Sequence, residues 1–206
     1  MPNRAFAALT QMIERGLDAG KPASATLHTR RAEVERLIDE LTARPPKGAW
    51  KIRIHGDYHL GQVLASEGDL VIVDFEGEPS RPAEERRLKS TPLRDVAGML
   101  RSFAYGAEAV TRQIATRFAD AEERARRASI AWRGMIDAAF LDGYREAVSV
   151  SRAAVTDPET ESRLLKLSLL TKALYEVDYE ANNRPDWIEI PARGVLNILD
   201  EIKKGV

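Results

Sequence analysis

The sequence contains no cysteine among its 206 residues. Disulfides and thiolate metal sites are thereby excluded, and the chain fits a reducing compartment. Long apolar runs are also missing. No stretch approaches the roughly 20 residues that a membrane-spanning helix requires. The first 20 residues, MPNRAFAALTQMIERGLDAG, carry acids where a secretory signal has an unbroken apolar core. Neither charge is in excess, with 31 Lys and Arg against 32 Asp and Glu. That balance gives no electrostatic reason to expect a nucleic acid or an anionic membrane as partner. Internal repeats and low-complexity tracts are absent as well. These absences lead us to expect a soluble, cytoplasmic protein. Its 44% hydrophobic content suffices for one sizeable core or two small ones.

What is present is mostly helical periodicity. Residues 4–17 place Phe6, Leu9, Ile13 and Leu17 on one face. Residues 30–43 repeat the pattern with Val34, Leu37, Ile38 and Leu41, and the run Pro45-Pro46-Lys47-Gly48 stops that helix. Residues 77–91 are polar and rich in Pro, Glu and Arg, as in an exposed loop. Thr91-Pro92 then opens a helix with Asp95 in its first turn and Val96, Met99, Leu100 and Phe103 as its core face. The charged stretch 119–127 predicts a solvated face or a loop between helices. A further helix is expected from Ile130 to Val150, with Trp132, Met135, Ile136, Phe140 and Tyr144 toward a core, ended by Asp157-Pro158. The most apolar helix spans 162–181. A last one is expected from Pro191 to Lys203.

Only residues 50–76 have β texture. Trp50, Ile52 and Ile54 alternate with Lys51 and Arg53, as in a short strand. His55-Gly56-Asp57 follows as a turn, Val63-Leu64 as a short apolar stretch, and Glu67-Gly68-Asp69 as a second turn. Leu70-Val71-Ile72-Val73 is a continuous apolar run that reads as a buried strand ending at Asp74. The fold class is therefore mainly α with a small β element.

That element carries the chemistry. Phosphoryl transfer asks little of the protein: one carboxylate toward the acceptor hydroxyl and a few oxygen ligands that hold Mg²⁺ against the phosphates. Protein kinases supply these as His-x-Asp, an amide five residues after that Asp, and Asp-Phe at the end of a following strand. Here His55-Gly56-Asp57, Gln62 and Asp74-Phe75 have that order and spacing. Each element alone is common: Asp57 could be a turn acid and Asp74 a strand-end acid. Their joint occurrence on a strand-loop-strand frame is what points to a kinase.

The stretches His55–Leu64 and Val71–Pro79 resemble the C-terminal lobe of the aminoglycoside-phosphotransferase and choline-kinase-like superfamily, and more closely the maltokinases, often fused to trehalose synthase. Arg86–Ser90, Pro92–Phe103, Ala173–Val177 and Arg184–Trp187 extend the likeness, which covers most of the chain from about residue 47. The resemblance implies one kinase-like C-lobe over residues 1–206. Residues 1–46 would be a helical lead-in, 47–76 the catalytic loop and metal-binding strand, and 92–206 a helical subdomain. It implies ATP and Mg²⁺ as cofactors and maltose as acceptor, giving maltose 1-phosphate. Asp57 would be the base and Asp74 a metal ligand. Gln62 stands where many relatives have Asn, and its amide oxygen is one methylene further out. His59 either shapes the loop or touches substrate, and His55 supports the loop. Asp95 can hold the loop backbone as well as the helix start. Tyr175 and Tyr179, one helical turn apart, are either core residues or a sugar-stacking pair.

Two rival readings have some basis. Gly56-Asp57-Tyr58-His59 is similar to a metallophosphoesterase motif, but such sites need several further His and Asp ligands, and no histidine follows His59. Alternatively the chain is a non-catalytic docking or regulatory domain of a trehalose synthase fusion. The intact Asp57, Gln62 and Asp74 oppose that reading.

A kinase of this type also needs a β-rich N-lobe with a phosphate-covering loop and a lysine. The 54 residues before His55 read mostly as helices and hold no glycine-rich loop, so the expected partner is an N-lobe of the same polypeptide. Positioning supplies most of the catalysis in phosphoryl transfer. The 206-residue chain by itself is therefore expected to show no phosphate transfer from ATP to maltose in a coupled assay. Turnover at ordinary kinase rates would refute this.

Overall fold

In a computed structural model of the chain, residues 1–78 and 81–204 are described, without the side chains of residues 119 and 202–204. Pro79 of the motif after Asp74 lies outside the described residues. The elements are α1 (Pro2–Glu14), α2 (Pro22–Thr29), α3 (Arg31–Thr42), β1 (Val63–Ser66), β2 (Asp69–Ile72), α4 (Ala83–Arg86), α5 (Leu93–Arg117), α6 (Glu122–Val148), α7 (Pro158–Asn183) and α8 (Glu189–Lys204). The chain is thus mainly helical with a small two-stranded sheet. No helix is long and apolar enough to cross a membrane among the described residues. Two compact units comprise residues 1–46 with 162–206, and residues 47–161.

The first unit follows from helical periodicity. Phe6, Leu9 and Met12 of α1, Val34, Leu37 and Leu41 of α3, Leu170, Leu174 and Val177 of α7, and Val195 and Leu199 of α8 are buried in one core. Each set recurs at three and four residues, so one stripe per helix faces inward. Leu17 falls beyond the end of α1 and is exposed. Helix α2 has no periodicity strong enough to announce it, and it lacks a capping side chain of its own. The buried Glu189 at the start of α8 supplies the cap instead. Its Oε1 accepts the Ser24 N–H at 3.0 Å and its Oε2 the Ala23 N–H at 3.2 Å. At the other end of this helical run, the Arg163 guanidinium donates to the carbonyls of Leu41, Arg44 and Pro45, closing the orphan acceptors after α3.

The second unit departs from the sequence expectations in three places. Residues 50–54 form no strand within a sheet. Their alternation finds one partner, the isolated bridge between Ile52 and Ser90, and Trp50 is 65% exposed. Strand β2 exists, paired antiparallel to β1 with Val63 opposite Ile72, but it is not buried: Leu70, Val71 and Ile72 are exposed. A two-stranded hairpin has two faces and too little surface to cover either. Helix α6 begins at Glu122 rather than Ile130, so most of the charged stretch 119–127 is a solvated face of this helix, one of the two forms expected for it. Trp132 and Met135 on it are exposed, because the helix packs on α5 along one side and its only buried residue is Ala125. Helix α5 matches its expected core face, with Val96, Met99, Leu100 and Phe103 all buried. Helix α7 begins at Pro158, earlier than expected, because the Asp157 carboxylate caps the Thr160 N–H at 2.9 Å.

Replacing Glu189 by Leu keeps bulk but strips two buried N–H groups of their acceptor. Leaving such donors unsatisfied costs about 1–3 kcal/mol each at most, so Glu189→Leu is expected to lower the urea midpoint clearly at unchanged m. An unchanged midpoint would show that α2 does not need this cap.

Candidate active site

The loop His55–Gln62 is built on helix α5. The Asp95 carboxylate, in the first turn of that buried helix, accepts the His55 N–H at 2.7 Å and the Gly56 N–H at 2.9 Å. Burial raises the pKa of Asp95, and the two backbone N–H bonds pull it back down. One turn along, Gly98 lets the loop backbone approach. A Cβ there would lie 2.5 Å from the Tyr58 carbonyl oxygen. A further turn along, Ser102 Oγ accepts the Leu60 N–H at 3.0 Å. Residues 95, 98 and 102 share one helix face, so the loop lies along α5 over two turns.

His55 is fully engaged. Its Nε2 meets the Val73 carbonyl at 2.8 Å, and its Nδ1 accepts the Asp57 N–H at 3.3 Å. A carbonyl can only accept, so the proton sits on Nε2 of a neutral ring. The ring packs beside Tyr58 and Phe75, with centroids at 5.7 and 4.8 Å. Burial, with a smaller push from Asp95, raises the pKa of Tyr58. His55 thus ties the loop to the end of β2 and has no nitrogen left for proton transfer. Gly56, at φ 85°, takes a backbone conformation that a side chain resists.

Asp57, His59, Gln62 and Asp74 all belong to this second unit. His59 Nδ1 accepts the Gly61 N–H at 3.0 Å and caps the short turn Leu60–Gln62, while its Nε2 lies 3.9 Å from Asp57 Oδ2. That separation is too long for a hydrogen bond, so His59 shapes the loop first and faces Asp57 second. Gln62 Nε2 donates to Asp74 Oδ2 at 2.9 Å. Asp74 stands at φ 63°, the left-handed region that non-glycine residues seldom adopt.

Magnesium fits this donor set in kind. It takes one or two carboxylates, keeps several waters and binds phosphate oxygens. Asp74 supplies a carboxylate, and half a turn of the Gln62 amide presents its oxygen at the same place. No group of three or more His, Asp or Glu that could hold a metal occurs among the described residues, but magnesium on a phosphate needs fewer protein ligands than that.

Tyr175 and Tyr179 belong to the first unit, on α7. Lys172 lies 5.0 Å over the Tyr175 ring and Arg184 5.3 Å over that of Tyr179, which is 44% exposed. A cavity of about 420 Å³ in the second unit is lined by Ile52, Ile54, His55, Tyr58, Val96 and Phe140 among others. Neither Asp57 nor Asp74 lines it, so it is not where those carboxylates act. Tyr144 also borders it. Its buried hydroxyl is raised to about 12 by burial and by the charge of Glu161.

The sequence reading missed Gly98 and Ser102. Their signal was present: a glycine and a serine on a helix otherwise rich in core residues, three and seven positions after Asp95.

Asparagine at position 95 would offer one acceptor and one NH₂ donor to two N–H donors. Asp95→Asn is expected to destabilise the second unit by about 1–3 kcal/mol and to speed amide exchange at His55 and Gly56. Unchanged exchange at both would remove Asp95 from its role as the anchor of the loop.

The model of the phosphotransferase enzyme family (APH) matches residues 4–135. Glucosamine kinase of Streptacidiphilus jiangxiensis is 30% identical over 172 residues, covering 84% of this chain and 36% of that protein. Glucosamine kinase of Mycolicibacterium smegmatis is 30% identical over 199 residues, 94% of this chain and 46% of that one. The chain thus spans less than half the length of these curated relatives. Among solved structures, a glucosamine kinase in complex with glucosamine, ADP and inorganic phosphate superposes with a TM-score of 0.73 at 26% identity, over 99% of this chain and 48% of that one. With more than half its residues matched by the family model and its fold shared with kinases, the chain belongs to the phosphotransferase enzyme family.

Proposed function

We propose that the chain is the C-terminal lobe of an ATP-dependent sugar kinase, its two units serving one lobe. The observation that carries this reading is the Gln62–Asp74 pair at 2.9 Å, on the same His55-tied frame as Asp57. In the reaction, the acceptor hydroxyl oxygen bonds to the γ-phosphorus of ATP as the bond to the β-phosphate oxygen breaks. The hydroxyl proton passes to Asp57, and ADP leaves with the electron pair. Asp74 and Gln62 would hold magnesium, which when bound would supply positive charge against the phosphates. An N-lobe of the same polypeptide would supply the phosphate-covering loop and lysine. The exposed Leu64, Leu70, Val71 and Ile72 of the hairpin support such a partner, since apolar side chains grouped at a surface favour being covered.

The names of the relatives favour glucosamine as acceptor. A second acceptor, maltose, is favoured by the segments Ala173–Val177 and Arg184–Trp187, which resemble the maltokinases; a trehalose synthase domain would then be the fusion partner. In either case Tyr175 and Tyr179 are proposed to face the sugar, each with one ring face already under a cation.

The full-length gene product is expected to phosphorylate one of glucosamine, maltose, glucose or trehalose with ATP, and inactivity on all four would end the sugar-kinase reading. Asp57→Asn should lower kcat about 100-fold or more with folding intact, because the amide cannot take the proton. Asp74→Asn should raise the Mg²⁺ concentration for half-maximal rate. Phenylalanine at Tyr175 or Tyr179 should raise the sugar KM by roughly 1 kcal/mol per lost hydrogen bond, with the ATP KM unmoved; a loss of stability alone would make them core residues.

A further inference from the structure

We infer that Arg86 is a positioning residue for Asp74, holding the turn after it against the loop that bears Asp57, an inference that rests on the kinase reading above. Before Asp74 the chain is fixed at Val73, whose N–H donates to the Gln62 carbonyl at 3.0 Å and whose carbonyl receives His55 Nε2 at 2.8 Å. After Asp74 it turns at Gly77, where φ is 78°. There it meets the loop backbone to backbone. A Cβ on Gly56 would lie 3.3 Å from Gly77 Cα, closer than such contacts usually come. Asp57 follows Gly56 directly, and Asp74 precedes Gly77 by three residues. The approach of the two glycines therefore helps to set how far apart the two carboxylate-bearing residues stand.

Arg86, the last residue of α4, holds this turn by direct contact. Its stem lies along Gly77: a Cβ there would stand 3.5 to 3.6 Å from Cβ, Cγ and Cδ of Arg86. Its Nη1 donates to the Glu76 carbonyl at 3.2 Å, the oxygen of the peptide that joins Glu76 to Gly77. The Glu76 carboxylate, 3.9 Å from the same nitrogen and 83% exposed, adds little, since water screens it. One residue past Gly77, the buried Glu78 receives the guanidinium groups of Arg81 and Arg94 and ties the segment to α5. That grip directs the chain after Gly77, and Arg86 holds the peptide before it. Arginine is unfavourable for stability at this place. Its Nε is buried without a hydrogen-bond partner among the described residues, and an unsatisfied buried donor destabilises. Methionine would lay a similar stem on Gly77 without that penalty. What only the guanidinium contributes is the bond to the Glu76 carbonyl, two residues past Asp74. A side chain that lowers stability while bonding the turn next to a reacting carboxylate marks a functional arrangement.

The test uses the full-length gene product. Without metal or nucleotide, Arg86→Met is expected to speed amide exchange at Glu76 and Gly77 about tenfold. With ATP and sugar it should raise the Mg²⁺ concentration for half-maximal rate about tenfold and leave the sugar KM within about twofold. Arg86→Lys keeps the stem and a donor, and should bring that Mg²⁺ concentration back to within about threefold of wild type. In the Asp74→Asn background Arg86→Met should shift it by less than about twofold, because the effect passes through Asp74. Cooperative melting is checked for each variant; if Arg86→Met does not fold, Arg86→Gln decides by the same criteria. Unchanged exchange, an unchanged Mg²⁺ requirement, absence of rescue by Lys, or an equal shift in the Asp74→Asn background would overturn the inference while leaving an active, Asp57-dependent wild type and the kinase reading intact. A wild type without sugar phosphorylation, or one indifferent to Asp57→Asn, would instead remove the reading itself.

Discussion

Two consecutive backbone N–H groups, those of His55 and Gly56, end on the carboxylate of Asp95 at 2.7 and 2.9 Å, and the shape of the loop follows from that fork. Hydrogen bonds to an ionised acceptor contribute about 1.5–3 kcal/mol. Two of them on adjacent residues also fix direction, since both donors must point at one side chain. Because Asp95 projects from a helix whose neighbours Leu93, Val96 and Ala97 are almost fully buried, the acceptor cannot drift. The next two contacts, at Gly98 and Ser102, then have no freedom left, as the loop can only run along the face that Asp95 starts. Gly98 is needed there for space rather than for flexibility: its Cβ would collide with the backbone that the fork has put in place.

The Asp74 side of the site is built from weaker material. A two-stranded hairpin in water is marginal by itself, and most of the apolar side chains of this one are exposed. Its end is nonetheless held at two points. The Val73 N–H donates to the Gln62 carbonyl at 3.0 Å, and the Val73 carbonyl receives His55 Nε2 at 2.8 Å. One residue thus joins the hairpin to itself and to the loop. Asp74 follows immediately in the left-handed region, a conformation costing of order 1–3 kcal/mol that persists only where its surroundings enforce it. The two contacts at Val73 are that enforcement, and the result is a carboxylate turned back toward Gln62.

How far the sequence revealed this depended on the range of each signal. Helices α1, α3, α5, α7 and α8 were legible because their apolar stripes are local and periodic. The order of Asp57, Gln62 and Asp74 was legible because spacing along one loop is conserved by chain geometry. Burial of β2 was misjudged, since a run such as Leu70–Val73 reports side-chain type and not what lies across from it. The alternation at Trp50–Ile54 misled for the same reason, its one strand-like partner among the described residues being Ser90. Helix α2 was invisible because its cap, Glu189, is 165 residues from Ser24. The grip of Glu78 on Arg81 and Arg94 escaped as well, because charged residues in a Pro- and Arg-rich stretch look solvated until the chain folds one of them inward.

The groups that hold the loop have one more property in common. Asp95, Gly98, Ser102 and His55 act on backbone atoms, through hydrogen bonds or close approach. None of these contacts involves a group that could distinguish one hydroxyl-bearing acceptor from another. A frame of this kind can be kept unchanged while the acceptor changes, so the stretch from His55 to Asp74 supports the proposed phosphoryl transfer and is silent on the sugar. Discrimination between acceptors rests on matched or unmatched hydrogen-bonding side chains, and these must lie where exchange does not disturb the frame. Tyr179, exposed on α7 of the first unit with Arg184 over its ring, belongs to no part of that frame and is the residue proposed for this task. In the proposed kinase the loop would carry the reaction, and residues outside it would be left free to carry the choice of substrate.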